Sequence, residues 1–280
     1  MSDHATSHSI NMDTGAMAGI AAEGILLAGG MCAILLQVAH PAVARGVARH
    51  SNFTWRAMDR LRATMTYVYA MTFGDPEERR VIRDHVNRVH RGVNGPGYDA
   101  FDPDLQLWVA ATLYHTSRML YERWVNHLDH DTAEAAYRQY RVLGVALQMR
   151  DDQWPADQAA FRSYWKDTLD RLQVTDAARG VCHDLFHPRC IPAWMRAAMP
   201  LNRLITGGLL PERLRDAYGI EWNARRAWRF HAFSNGTRLI YPHLPRTIRQ
   251  LPKTWYLHDM RRRLAHDERG GRAHHAPTHV

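Results

Sequence analysis

Between residues 55 and 120 the chain gives the same pair of signals twice: a glycine stop, then an aspartate followed by proline. Gly74 stands before Asp75-Pro76-Glu77-Glu78, and Gly95-Pro96-Gly97 stands before Asp102-Pro103. An aspartate carboxylate accepts from the free N–H groups of a helix's first turn, and proline suits the first helical position because its missing N–H is not needed there. The stretch therefore predicts three helices on short connections. The first presents Met58, Leu61, Met65, Val68 and Tyr69 with helical periodicity, and Arg60, Thr64 and Tyr67 fall on the adjoining stripe. The second buries Ile82, Val86, Val89 and Val93, which sets His90 at the margin of its apolar face near the helix end. The third presents Leu105, Trp108, Val109, Thr112, Thr116, Met119 and Leu120. The short Gly74-Asp75 turn makes the first two helices antiparallel neighbours. From pattern alone His90 has two readings, a hydrogen-bonded core histidine or a ligand pointing into a pocket.

Outside this stretch the pattern stays helical. At 280 residues and 46% hydrophobic the chain can bury a large core, and neither a repeat nor a glycine- or serine-rich linker divides it. We expect an all-α, single-domain bundle over residues 15–265, with a disordered start at 1–14 and a disordered tail at 266–280. Three cysteines, Cys32, Cys182 and Cys190, are an odd number in a long chain; they read as free thiols in a reducing, cytoplasmic setting. Ala16 to Ala39 is the most apolar segment and about the length of a membrane span. It carries Glu23 and four glycines, so we expect a buried central helix, with a signal anchor or span as the alternative. His40-Pro41 ends it, and His40 either faces a pocket or caps a helix end with its imidazole.

Cys182-His183-Asp184-Leu185-Phe186-His187-Pro188-Arg189-Cys190 carries a rival metal reading, because His183 and His187 share a helical face with thiols nearby. Pro188 disrupts that geometry, and no Cys-x-x-Cys pair supports it. A net charge of +8 raises the question of nucleic acid, but much of the excess comes from arginines on several predicted helices, and no RNA or DNA module matches.

Four runs taken together resemble one family. They are Leu35-Leu36-Gln37-Val38-Ala39-His40-Pro41-Ala42-Val43-Ala44-Arg45-Gly46-Val47; Arg60-Leu61-Arg62-Ala63-Thr64 with Val68-Tyr69-Ala70-Met71-Thr72-Phe73-Gly74; Val89-His90-Arg91-Gly92-Val93-Asn94-Gly95; and Asp102-Pro103-Asp104-Leu105-Gln106-Leu107-Trp108-Val109-Ala110-Ala111-Thr112. Their order and approximate spacing are similar to the MpaB and rubber-oxygenase (latex clearing protein) catalytic-domain family over residues 20–125. A weaker likeness continues to about residue 255.

The resemblance implies a bundle of roughly ten or more helices around a haem b pocket. His90 would be the iron ligand. Arg60 would pair with a propionate, Thr64 would border the haem or orient bound oxygen, and Trp108 and Thr112 would line the cavity. His40 would act from the distal side as hydrogen-bond donor or second ligand. Rubber oxygenases can carry a lysine just before the motif threonine; here that residue is Ala63, which tells against lysine ligation and a polymer substrate. No Cys-x-x-Cys-His is present, so the haem would be noncovalent. The implied activity is oxidation of an apolar small molecule with O2, with room for an electron donor. A haem sensor or carrier and a structural helical protein are the other classes.

Overall fold

The structure, a computed structural model, describes residues 15–50 and 53–273. Its regular structure is helical apart from one hairpin of two two-residue strands. The helices are α1 (Gly15–Ala21), α2 (Gly30–Val38), α3 (Pro41–His50), α4 (Phe53–Phe73), α5 (Pro76–His90), α6 (Pro103–Trp124), α7 (His130–Tyr140) and α8 (Val142–Val145), followed by α9 (Gln158–Arg171), α10 (Asp176–Phe186), α11 (Ala193–Leu209), α12 (Glu212–Ala217), α13 (Ala224–Ile240), α14 (Arg246–Arg249) and α15 (Leu251–Ala273). Strands β1 (Asn94–Gly95) and β2 (Tyr98–Asp99) pair antiparallel between α5 and α6.

The two aspartate–proline signals act as expected. Asp75 accepts from the Glu78 N–H at 2.8 Å while the Glu78 carboxylate accepts from the Asp75 N–H at 3.0 Å, a reciprocal capping box. Asp102 accepts from the Asp104 N–H at 2.9 Å. The helix α5 stops at His90, earlier than its apolar pattern suggested. Val93 lies beyond it at the start of the hairpin, and Val89 is 48% exposed.

The expected central helix over Ala16 to Ala39 is broken. Helix α1, a 3-10 segment (Gly24–Gly29) and α2 follow one another with a bend of 72°. The cause is Glu23, 5% exposed, whose carboxylate accepts from the Tyr241 hydroxyl at 2.9 Å and pairs with Arg249 at 3.4 Å. A buried carboxylate needs such partners, and Glu23 reaches them by adopting extended backbone where a straight helix would continue. Gly24 then lies against the Arg249 carbonyl and Pro252, where a Cβ would come within 2.8 Å of each. No single helix among the described residues is long and apolar enough to cross a membrane.

Helix α6 runs through the core, with Trp108, Ala111, Thr112, Tyr114, Leu120 and Trp124 buried. Trp108 stacks on Trp165 at 5.1 Å, and Trp165 stacks on His115 at 3.9 Å. Helix α11 continues through Pro200, and α15 extends to Ala273, so residues 266–273 of the stretch read as tail are helical. The expectations for 1–14 and 274–280 lie outside the described residues.

Two outcomes follow from this packing. Glu23→Gln leaves Arg249 without its carboxylate and should lower unfolding free energy by about 3 kcal/mol, measured by urea denaturation. Burial holds the His115 imidazole down at about 4 against an ordinary 6.5. Between those values the unfolded chain binds a proton that the native chain does not. The native stability is therefore full above the ordinary value and falls as the pH drops toward about 4. His115→Phe, which keeps the stack on Trp165, should flatten that acid-side decline by up to about 3 kcal/mol in urea midpoints taken across the window.

Candidate active site at the start of helix α6

Two histidines reach the N-terminal end of α6 from different elements. His90, the last residue of α5, is half-buried, and its Nδ1 lies 3.5 Å from the Gln106 amide nitrogen. Gln106 is 6% exposed and donates to the Ala100 carbonyl at 2.6 Å and to Gln148 Oε1 at 3.2 Å; Gln148 in turn donates to Asn87 Oδ1 at 2.7 Å. Asn87 is one turn before His90, so this hydrogen-bond chain ties the last turn of α5 to the loop after α8 and to α6. Burial lowers the His90 pKa, and the Arg60 guanidinium lowers it further, so its imidazole is neutral near pH 7. Neutral imidazole is the form that ligates a metal.

Arg60, on α4, is half-buried, and burial followed by the charge of Arg56 lowers its own pKa. Its Nε is buried and makes no hydrogen bond among the described residues. An unanswered buried guanidinium nitrogen is costly and open to an acceptor, as are the Nε atoms of Arg79, Arg215 and Arg249. Thr64, one turn later on α4, is exposed, as is Ala63.

His40 sits between α2 and α3. Its carbonyl accepts from the Ala44 N–H at 2.9 Å, but its imidazole does no capping: Nδ1 is buried and has no partner among the described residues. Of its two readings, the helix-cap role for the ring is set aside. Burial holds its pKa down, with the Asp102 carboxylate opposing and Arg45 assisting.

Trp108 is 1% exposed and its indole N–H donates toward the Leu36 and Gln37 carbonyls at 3.2 and 3.3 Å. The Thr112 hydroxyl accepts from Gln37 Nε2 at 3.0 Å and donates to the Val109 carbonyl at 2.7 Å. Both therefore spend their polar atoms on holding α2 against α6, directly before His40. The sequence reading assigned no role to Gln106 or Gln37. The only signal for Gln106 was a polar residue on the core face one turn after the Asp102 cap.

Among the described residues no group of three or more His, Cys, Asp or Glu side chains could hold a bare metal ion. In the rival segment the His183 and His187 rings lie 4.6 Å apart, the His187 Nδ1 is bonded to the His183 carbonyl at 2.9 Å, and Cys190 is exposed. A porphyrin supplies four of iron's ligands and asks the protein for one or two imidazoles. A single neutral histidine with an arginine whose Nε lacks an acceptor suits haem better than zinc, which asks the protein for three or four ligands. Two cavities lie elsewhere: one of about 920 Å³ beside His115, Arg118, Phe161 and Arg238, the other of about 620 Å³ beside Cys182, His183, His187 and Trp222. Neither includes His90, Arg60 or Thr64.

Comparison with known proteins adds a family. The model described as ER-bound oxygenase mpaB/B'/rubber oxygenase, catalytic domain, matches residues 18–239. Two uncharacterized proteins, Mb2261 of Mycobacterium bovis and Rv2237 of Mycobacterium tuberculosis, are each 34% identical over 246 residues, covering 84% of this chain and 96% of theirs. No solved structure matches. On this match the chain belongs to the ER-bound oxygenase mpaB/B' and rubber oxygenase catalytic-domain family.

Proposed function

We propose that this chain is a haem b-dependent oxygenase that uses O2 on an apolar small molecule, with His90 as the protein ligand to iron. The observation that carries the reading is the pairing of a neutral, half-buried His90 with an Arg60 whose Nε lacks an acceptor. The oxygenase family supports the reaction class. Haem, when bound, would supply the iron at which O2 reacts.

The remaining chemistry belongs to the chain. His90 would offer its lone pair from the helix end; the Gln106 amide nitrogen near its Nδ1 already donates both hydrogens, to Ala100 and Gln148, so the acceptor that would fix the ligating tautomer is not Gln106. Arg60 would answer a propionate, a pairing suited to its planar guanidinium. Thr64, exposed on the same face of α4 one turn on, would border the haem edge or orient oxygen. His40 would give or take a hydrogen bond at its unspent Nδ1. Trp108 and Thr112 would contribute wall rather than hydrogen bonds, since their polar atoms are already engaged. The three free cysteines support a reducing, cytoplasmic setting.

Purified protein should carry haem that acid-acetone extracts, or bind added haemin at about equimolar ratio, a stoichiometry set by one axial imidazole per chain. It should then consume oxygen in the presence of an apolar alkene and a reductant. Protein that neither carries nor binds haemin overturns the reading in favour of a structural helical protein. Haem binding without oxygen uptake across a panel of apolar substrates identifies a sensor or carrier instead.

A further inference from the structure

Charge and exposed apolar surface are concentrated in one part of the chain. Between Ala224 and His258 there are seven arginines and lysines and no aspartate or glutamate, so this segment holds +7 of the chain's net +8. The arginine excess is thus less evenly spread than the sequence reading took it. Ten large hydrophobic side chains are exposed among the described residues, and six of them, Trp228, Leu239, Ile240, Ile248, Leu251 and Trp255, fall in this same segment. Isolated exposed apolar residues are ordinary, but a contiguous group calls for an occupant.

The structure makes most of the group contiguous. Tyr241 and Arg249 both turn inward onto Glu23, and the Arg249 guanidinium lies 5.8 Å from the Tyr241 ring centroid. Pro252 packs on Gly24 from the same side. Their neighbours Ile240, Ile248 and Leu251 are left facing out around one anchor point, at 64%, 50% and 59% exposure. Trp255 follows Leu251 by one turn of α15, and Trp228 and Leu239, three turns apart on α13, share a helix face. Half-buried Ile25, Leu26 and Leu27 of the 3-10 segment extend the apolar floor beside this anchor. Arg249 is neutralised by Glu23, whereas Arg238 and Arg246 are exposed and make no ion pair among the described residues. Ile240, Ile248, Leu251 and Trp255 all lie beyond residues 18–239, the stretch that the family model matches.

We propose that this face docks in the plane of a lipid bilayer bearing anionic phospholipid. Apolar side chains flanked by arginines match an interface that is hydrocarbon below and phosphate above. Such binding requires no spanning helix: the apolar residues enter the headgroup boundary while the cations hold phosphates. The acid-free run removes the like-charge repulsion that would oppose an anionic surface. The docking stands independently of haem, because none of these side chains belongs to the His90 site.

The test is flotation of the purified full chain with phosphatidylcholine vesicles, either alone or with about 30% phosphatidylglycerol, a level at which basic surface residues respond to anionic lipid. The protein should float with the anionic vesicles and be released at about 0.5 M salt, where screening is short-ranged. The double variant Ile248→Glu with Leu251→Glu, at two exposed positions, should cut the bound fraction at least about tenfold. Trp194→Glu, at an exposed apolar residue of α11 outside the segment, should leave it unchanged. Failure to bind either vesicle overturns the proposal, as does binding that the double variant leaves intact. If light scattering shows a dimer that the double variant converts to monomer, with no vesicle binding by either form, the patch belongs to a second copy of this chain.

Discussion

A buried carboxylate near the N-terminus sets the geometry of this fold. Glu23 lies in the most apolar segment of the chain, and leaving its charge unpaired there would cost several kcal/mol. Its partners, Tyr241 and Arg249, come from the far end of the sequence. Meeting them bends the segment by 72°, which separates α1 from α2. Gly29, whose added Cβ would collide with Thr116 and Leu120, then allows the segment to lie directly against α6. One ionic contact thus links the two ends of the chain across the helix that fills the core.

The candidate site depends on that arrangement. With α2 held along α6 by the Trp108 indole and by the Gln37–Thr112 bond, His40 emerges at the end of α2 close enough to Asp102 to feel its charge. From the other side, the capping box at Asp75 fixes where α5 begins, and its last residue is His90. The Gln106–Gln148–Asn87 chain then ties that end to α6. Two histidines are therefore delivered to one helix terminus by elements that meet only through packing. The His40 Nδ1 and, on α4, the Arg60 Nε are left unanswered, costs that the fold tolerates and that a bound group could relieve.

What could be read in advance followed the range of the interactions. Asp75-Pro76 and Asp102-Pro103 are local, their chemistry complete within four residues, and both helix starts stand where those signals put them. The bend at Glu23 was not legible because its partner Tyr241 is 218 positions away. Val89 and Val93 looked like core because valine spacing carries no information about where a helix stops; α5 ends at His90 and the chain turns into the hairpin, leaving Val89 outward. Gln106 was missed because its partners, Ala100, Gln148 and His90, come together only in the folded molecule. Trp108 and Thr112 were legible as buried residues of α6, but their hydrogen bonds to α2 could not be foreseen from helical periodicity. The fourfold motif pattern made the family recognisable, since it records order along the chain.

The central claim is the identity of the iron ligand, and absorption spectroscopy of haemin-reconstituted His90→Ala and His40→Ala tests it most directly. The expected result is that His90→Ala loses the wild-type haem spectrum, with binding restored by added imidazole, while His40→Ala retains haem with an altered spectrum. A His90→Ala protein that keeps the wild-type spectrum, alongside a His40→Ala protein that loses haem, would contradict the assignment and move the ligand to His40.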